Sequence, residues 1–168
     1  MMALIEAGNL APTSEEIANH AGVGHRTVFR HFEDMDSLYQ EISQRVESRV
    51  LDAVNFKEPV GSLADRVESL VAWRAKAYEK MKNFRRSSAV KMSTSKFIRA
   101  NRLGWAEILR ERMFKYLPEL RGHSEAVQSA VEVLLSFDGW EQLRVEQRLS
   151  QTAARQVQAS AVLELLGR

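Results

Sequence analysis

The sequence predicts an all-α fold in which an N-terminal helix-turn-helix is followed by a larger helical domain. Apolar residues recur at spacings of three and four along nearly the whole chain, which is the period of amphipathic helices. Nowhere does the chain sustain the strict alternation that marks a half-buried strand. The three prolines and most of the eight glycines lie between the periodic segments, where they indicate turns.

The predicted helices follow one another in the order set by these breaks. Thr13 and Glu16 have the spacing of a capping box, which starts the first complete helix. Asp34 is a favourable N-cap for a later helix. The segment before Gly8 is too short to be stable alone, and we expect it to be the end of a curtailed first helix. The predicted helices cover about residues 1–7, 13–20, 25–31, 35–50, 63–82, 87–99, 103–117, 124–146 and 151–166.

Composition excludes several classes of protein. The 168 residues can bury a sizeable core without metals or disulfides. Cysteine is absent, so disulfides and thiolate metal sites are excluded. No apolar run approaches the ~18 residues of a membrane span, and no signal peptide is recognised, so a cytoplasmic location is predicted. The four histidines form no metal motif, and no catalytic constellation is found. We therefore predict no enzyme, no cofactor and no metal.

Charge is distributed unevenly along the chain, although the formal net charge is only +2. Residues 1–40 contain two arginines and six acidic residues, a net charge of −4 with histidine neutral. Residues 84–121 contain ten basic and three acidic residues. Such a basic run is most often a solvated helix face, and the sequence alone leaves its role open.

The stretch HAGVGHRTVFRHF, residues 20–32, has the pattern of a helix-turn-helix. Gly22 stands where a helix C-terminus requires a left-handed residue. Two short helical patterns flank it, as in the DNA-binding corner. The side chains expected to close one small core between these helices are Ile17, Ala18, Ala21, Val23, Val28 and Phe32.

The opposite face of the second helix carries cations, hydrogen-bond donors and an aromatic ring. Side chains of these types bind phosphates and the edges of bases. A compact helical corner without DNA affinity would use a similar core, so the pattern alone does not settle the function. The residues predicted to face DNA are His25, Arg26, Thr27, Phe29, Arg30 and His31.

The segment TSEEIANHAGVGHRTVFRHFEDMDSL, residues 13–38, resembles the DNA-binding signature of the TetR family of bacterial transcriptional regulators. The resemblance adds Thr13 and Ser14 to the predicted DNA-binding residues. It also implies a dimer that binds double-stranded operator DNA, with a repressor released by a small-molecule effector as the expected function. Three features depart from the family pattern. These are Met35 in place of a basic residue, Phe29 in place of the common tyrosine, and the curtailed first helix.

The predicted domain boundary lies within the long third helix. Residues 1–46 are expected to form the helix-turn-helix DNA-binding domain. Residues 47–168 are expected to form the ligand-binding and dimerisation domain that the resemblance implies.

The last two predicted helices carry more apolar surface than one monomer needs, and small side chains would let a partner helix approach closely. A helix that is apolar on two sides contacts two partners, although a central helix buried in the monomer is an alternative. The resemblance favours a two-fold four-helix bundle, and symmetric dimers are the commonest oligomers. The predicted dimer-interface residues are Val127, Val131, Leu134, Ala154, Val157, Ala161 and Leu165.

Aromatic and methionine side chains cluster in the middle of the chain. Taken one by one they are ordinary core residues, but together they could line an apolar cavity with few polar groups, as ligand sites do. Arg74 lies within an apolar stripe, so an inward orientation would require an acidic or ligand partner. The predicted pocket for a largely apolar effector consists of Trp73, Arg74, Tyr78, Met81, Met92, Phe97, Trp105 and Phe137.

A second function remains open at this point. The acidic balance of residues 1–40 and the presence of Met35 would also fit a helical small-molecule-binding or scaffold protein with weakened DNA affinity. A salt-dependent DNA-binding assay distinguishes the two.

Overall fold

The structure, a computed structural model, describes residues 1–54 and 59–167. Within those residues every regular element is helical, which confirms the predicted all-α fold class. Short segments of 3₁₀ helix at Pro118–Gly122 and of π-helix at Gln142–Glu146 supplement the α-helices. The α-helices are α1 (Met2–Glu6), α2 (Ser14–Ala21), α3 (His25–His31), α4 (Met35–Val54), α5 (Leu63–Lys91), α6 (Lys96–Tyr116), α7 (Glu125–Leu134), α8 (Phe137–Glu141) and α9 (Gln151–Leu165).

Four predicted helix bounds are wrong, one of them because residues 92–95 form a turn within the helix expected over residues 87–99. Helix α5 continues nine residues beyond the predicted end at Lys82. Helix α6 runs unbroken through the gap expected between residues 99 and 103. The long helix expected over residues 124–146 is divided into α7, α8 and the π-helical segment. The errors at the end of α5 and in the middle of α6 share a cause, since a largely polar stretch such as 82–88 weakens the apolar period without breaking the helix.

The chain forms two compact units. The first unit comprises Met1–Ala53 and Met81–Trp105, and the second comprises Val54–Lys80 and Ala106–Arg168. Helices α5 and α6 each contribute residues to both units. These units are defined by the packing of the chain, whereas the predicted domains, divided between residues 46 and 47, are defined by function. That predicted division stays a prediction.

The core of the first unit joins the helix-turn-helix to the helices that follow it. Ile5 of α1 is fully buried, and Ile17, Ala18 and Val28 are buried in α2 and α3. Helix α4 and the start of α6 add a second group of buried side chains, which consists of Leu38, Tyr39, Ile42, Val46 and Ile98. Burying apolar surface of this kind is the main favourable contribution to folding.

The second unit has a larger core built from α5, α6, α7 and α9. Its cluster of buried side chains is Val67, Leu70, Val71, Met113, Phe114, Tyr116, Leu117, Leu120, Val131, Leu135, Val162 and Leu166. Arg66 of α5 also pairs with Glu119 and donates to the carbonyl of Tyr116, 2.8 Å away. No described helix is long and apolar enough to cross a bilayer.

The break between α7 and α8 has a local cause. The Ser136 hydroxyl accepts a hydrogen bond from the backbone N–H of Gly139 at 3.0 Å, which caps a new helix. A Cβ atom at Gly139 would lie 2.7 Å from the carbonyl oxygens of Val133 and Leu134. Only glycine therefore allows α8 to pack this closely against the end of α7.

Buried side chains donate hydrogen bonds to the backbone carbonyl groups at the C-terminal end of α7. Gln158 Nε2 donates to the Leu134 oxygen at 2.7 Å. Arg74 Nη1 and the Tyr78 hydroxyl both donate to the Leu135 oxygen, at 2.7 and 2.9 Å. The C-terminus of a helix carries partial negative charge, so the Arg74 cation is stabilised there without a carboxylate.

The predicted capping box at the start of α2 is confirmed. Thr13 accepts from the backbone N–H of Glu16, and the Glu16 carboxylate accepts from the backbone N–H of Thr13 at 2.7 Å. Hydrogen bonds from the backbone and then the side chain of Thr13 lower the pKa of Glu16 below its ordinary value. Because the folded-state pKa is lowered, this stabilisation is present above the ordinary pKa and is lost as pH falls through the folded value.

We expect Thr13→Ala to lower the free energy of unfolding at pH 7 by about 0.5–2 kcal/mol, because the backbone N–H of Glu16 loses the side-chain oxygen that accepts from it. The pKa of Glu16 should rise towards its ordinary value. Urea unfolding and a pH titration followed by NMR measure the two effects. Thr152→Ala, at an exposed position inside α9, is the control. An unchanged Glu16 pKa in Thr13→Ala would contradict the assignment.

Candidate nucleic-acid interface

Helices α2 and α3 pack together through a tight turn. Gly22 has φ +66°, in the left-handed region that favours glycine. The Val23 N–H donates to the Ala18 oxygen at 3.1 Å and the Gly22 N–H to the Asn19 oxygen at 3.2 Å. This is the hydrogen-bonding pattern of a Schellman motif, which ends α2 and redirects the chain into α3.

The core predicted for this corner is only partly correct. Ile17, Ala18 and Val28 are buried, as expected. Ala21 and Val23 are exposed, and Phe32 is only partly buried. The left-handed turn at Gly22 ends the helical period of α2. An apolar residue after the turn, such as Val23, therefore does not lie on the buried face that helical spacing predicts for it.

Helix α3 presents the predicted side chains to solvent. Most of them are exposed, while Thr27 is partly buried. Arg26 and Arg30 lie four residues apart and therefore project from about the same side of the helix. Val28, on the other side, is buried. The exposed members of the predicted set are His25, Arg26, Phe29, Arg30 and His31.

Four of the predicted DNA-binding residues also have partners within the protein. Thr13 takes part in the capping box of α2. The Ser14 hydroxyl lies 2.8 Å from Nε2 of His25 and so links α2 to α3. The ring of His25 contacts that of Phe29 edge to face, with centroids 5.0 Å apart. These contacts orient the recognition helix, and Arg26 and Arg30 are the strongest candidates for direct contact with DNA.

The start of α4 is fixed to α5 and α6 by contacts that the sequence analysis did not find. The Ser95 hydroxyl donates to a carboxylate oxygen of Asp36 at 2.9 Å. The hydroxyls of Tyr39 and Ser87 lie 3.3 Å apart in the core of the unit. Burial raises the pKa of Tyr39, so its hydroxyl stays protonated. These partners are 48 and 59 residues apart in sequence, and no local pattern could reveal them.

A groove lies beside α4 within the same unit and has a cavity volume of about 50 Å³. At one wall the Glu47 carboxylate accepts hydrogen bonds from Trp105 Nε1 at 2.6 Å and Asn101 Nδ2 at 2.9 Å. The residues that line the groove are Tyr39, Ile42, Ser43, Val46, Glu47, Met81, Phe84, Arg85, Ser88, Ala89, Met92, Ile98, Asn101, Arg102 and Trp105.

The residues predicted to form one pocket are not brought together. Three of them line this groove, namely Met81, Met92 and Trp105. Phe97 belongs to the same unit without lining the groove. The other four belong to the second unit, and they are Trp73, Arg74, Tyr78 and Phe137.

Arg74 does point inward, with 2% of its surface exposed. The acidic or ligand partner expected for it is replaced by the backbone oxygens of Leu135 and Leu109, each 2.7 Å from a guanidinium nitrogen. Backbone carbonyl groups can thus hold a buried cation in a way that composition does not indicate, although Nε of Arg74 has no hydrogen-bond partner.

The predicted dimer-interface residues differ in how far they are buried within the chain. Val131 and Ala154 are fully buried within the chain, and Val127, Leu134 and Ala161 are partly buried. Val157 and Leu165 of α9 remain 41% and 36% exposed. Val133 of α7, which was not among the predicted interface residues, is 68% exposed.

The Schellman turn at Gly22 and the exposed cationic face of α3 have the geometry of a helix-turn-helix, a motif found in DNA-binding proteins. The family model described as bacterial regulatory proteins, tetR family, matches residues 1–42. This match confirms the resemblance seen in the sequence and supports membership of the TetR family of DNA-binding transcriptional regulators. Comparison with curated proteins and comparison with solved structures each found no match.

Proposed function

We propose that this protein is a dimeric transcriptional repressor that a small molecule releases from its operator. The observation that carries the proposal is the face of α3, where Arg26 and Arg30 are exposed on a helix oriented by α2. Guanidinium groups bind phosphates and can bind guanine edges in the major groove with two hydrogen bonds. In a dimer, two such helices would read half-sites one helical turn apart, about 34–36 Å.

Selection of bound duplexes from a random DNA library tests this proposal. We expect an enriched, two-fold symmetric sequence, with an affinity that falls steeply as salt rises, because neutralised phosphates release counterions. Recovery of random sequences with weak, nonspecific affinity would favour the helical binding or scaffold protein instead.

We place the effector site in the groove beside α4. Apolar side chains such as Phe84 and Met92 form its walls, and Glu47 and Asn101 supply polar groups. Since α4 directly follows the recognition helix in the chain, an occupant of this groove that displaces α4 would alter the position of α3. A compound bound there should raise the melting temperature by mass action and weaken operator binding.

The proposed dimer interface is the exposed apolar surface of α7 and α9, two helices that pack against each other in the second unit. Val133, Val157 and Leu165 leave apolar surface in water on these two helices. A second copy related by two-fold symmetry would bury the same surface on both protomers.

We expect Val157→Glu to convert the dimer into a monomer, because two-fold symmetry brings two uncompensated carboxylates close together in a buried interface. Sedimentation or light scattering measures the mass. Gln156→Glu introduces the same charge at a neighbouring exposed position of α9 and should leave the dimer intact. An unchanged mass for Val157→Glu would place the interface elsewhere.

A further inference from the structure

We propose that the turn between α5 and α6 is a second DNA-contacting element that binds phosphates beside the site read by α3. We call residues 91–96 the basic turn. The inference rests on the proposed DNA-binding function and assigns it a surface outside the helix-turn-helix.

The first argument comes from charge within the first compact unit. Residues 1–53 contain four arginines and nine acidic residues. Residues 81–105, the other part of this unit, contain seven basic residues and no acidic one. Binding to the DNA backbone depends on cations that neutralise phosphates. The segment around the basic turn therefore supplies the net positive charge that residues 1–53 lack.

The second argument is the position of the basic turn. The Ser95 side chain is 2% exposed and donates to Asp36 in the first turn of α4. Asp36 lies five residues beyond the end of α3. The basic turn is therefore tied to the end of α4 that adjoins the recognition helix. That end carries Asp34, Met35 and Asp36 and no cation of its own.

The third argument is that the turn is held in one conformation. Arg99 Nη1 donates to the carbonyl oxygens of Met92 and Ser93 at 2.9 and 3.0 Å. The Thr94 hydroxyl donates to the Lys91 oxygen at 3.2 Å. The Ser95 hydroxyl also accepts from the Ile98 N–H at 3.1 Å, which caps α6. Such a preorganised turn loses little conformational entropy on binding.

The side chains around this turn suit phosphate better than base edges. Lys91 ends α5 and Lys96 begins α6, with Lys96 exposed and Lys91 partly buried. The hydroxyl-bearing Ser93 and Thr94 are exposed between them. Lysine acts as a point charge, and lysine and hydroxyl side chains commonly contact phosphate oxygens, which carry no sequence information. The occupant that this turn fits is therefore the backbone of duplex DNA.

The experiment replaces both lysines with glutamine and measures duplex binding over a range of salt concentrations. In Lys91→Gln/Lys96→Gln we expect the slope of log K against log salt to become shallower by about 1.8, because each lost phosphate contact removes about 0.9. Affinity should fall by a similar factor for operator and for random duplex. The sequence preference should not change, since α3 is untouched.

The matched control is Lys76→Gln/Lys80→Gln, which removes the same charge from exposed positions in the second unit. It should leave the salt slope unchanged. Equal slopes for the wild type and Lys91→Gln/Lys96→Gln would overturn this inference alone. Loss of binding to anionic vesicles without loss of duplex affinity would overturn it in favour of a membrane surface. A wild-type chain that binds no duplex would overturn the proposed function as well.

Discussion

Replacing Arg26 or Arg30 by alanine is expected to weaken operator binding by about 1–3 kcal/mol if the side chain reads a base, which is about 5-fold to 150-fold in affinity. The preference for that base should relax at the same time. Both guanidiniums are exposed on one side of α3, and neither belongs to the core around Val28. The fold and the oligomeric state should therefore be preserved.

The same substitutions distinguish base contacts from phosphate contacts. A residue that touches only phosphate should lower affinity about equally for all sequences, with a salt slope shallower by about one. Arg45→Ala is the control, because this exposed arginine pairs with Glu41 on α4 and lies outside α3. If the double variant Arg26→Ala/Arg30→Ala binds operator as well as the wild type does, α3 is not the reading helix.

Arg74→Met should lower the free energy of unfolding by about 2–4 kcal/mol. Methionine keeps most of the apolar stem but removes the hydrogen bonds to the oxygens of Leu135 and Leu109. Buried acceptors that lose a donor cost about 1–3 kcal/mol each. The C-terminus of α7 also loses the cation that complements its partial negative charge. The Tyr78 hydroxyl, which still donates to Leu135, keeps the loss from being larger.

Urea unfolding at a fixed protein concentration measures this effect, since any oligomer makes apparent stability depend on concentration. Arg155→Met, at an exposed position of α9, should change the free energy of unfolding by less than about 0.5 kcal/mol. An Arg74→Met protein as stable as the wild type would show that the cost of burying the guanidinium cancels the value of its hydrogen bonds.

The helix-turn-helix could be predicted because its determinants are local. The capping box joins Thr13 to Glu16 over three residues, and Gly22 is required by its own backbone conformation. The division of the predicted helix over residues 124–146 also had local signals, Ser136 as a cap and Gly139 at a close approach. These signals were masked by an apolar pattern that continues across the break.

The pocket and the dimer interface were harder to predict from the sequence, because such a prediction requires knowing which helix faces pack together. Trp105 lines the groove, whereas Trp73 belongs to the other unit, although both lie in aromatic-rich helices. Val131 and Val157 were both predicted for the same interface, yet the first is fully buried and the second is exposed. Hydrophobic periodicity identifies an apolar face but not its partner.

The helical class, the helix-turn-helix and the cationic face of α3 could be predicted from local patterns, since each depends on residues within one or two helical turns. The packing of distant helices shows in addition that backbone oxygens hold the Arg74 cation and that the Ser95 hydroxyl ties the basic turn to α4. Those contacts join residues 61 and 59 positions apart. The acceptors in these contacts are a backbone carbonyl group and a single carboxylate. Many positions in the chain carry such acceptors, so the sequence does not indicate which one is the partner.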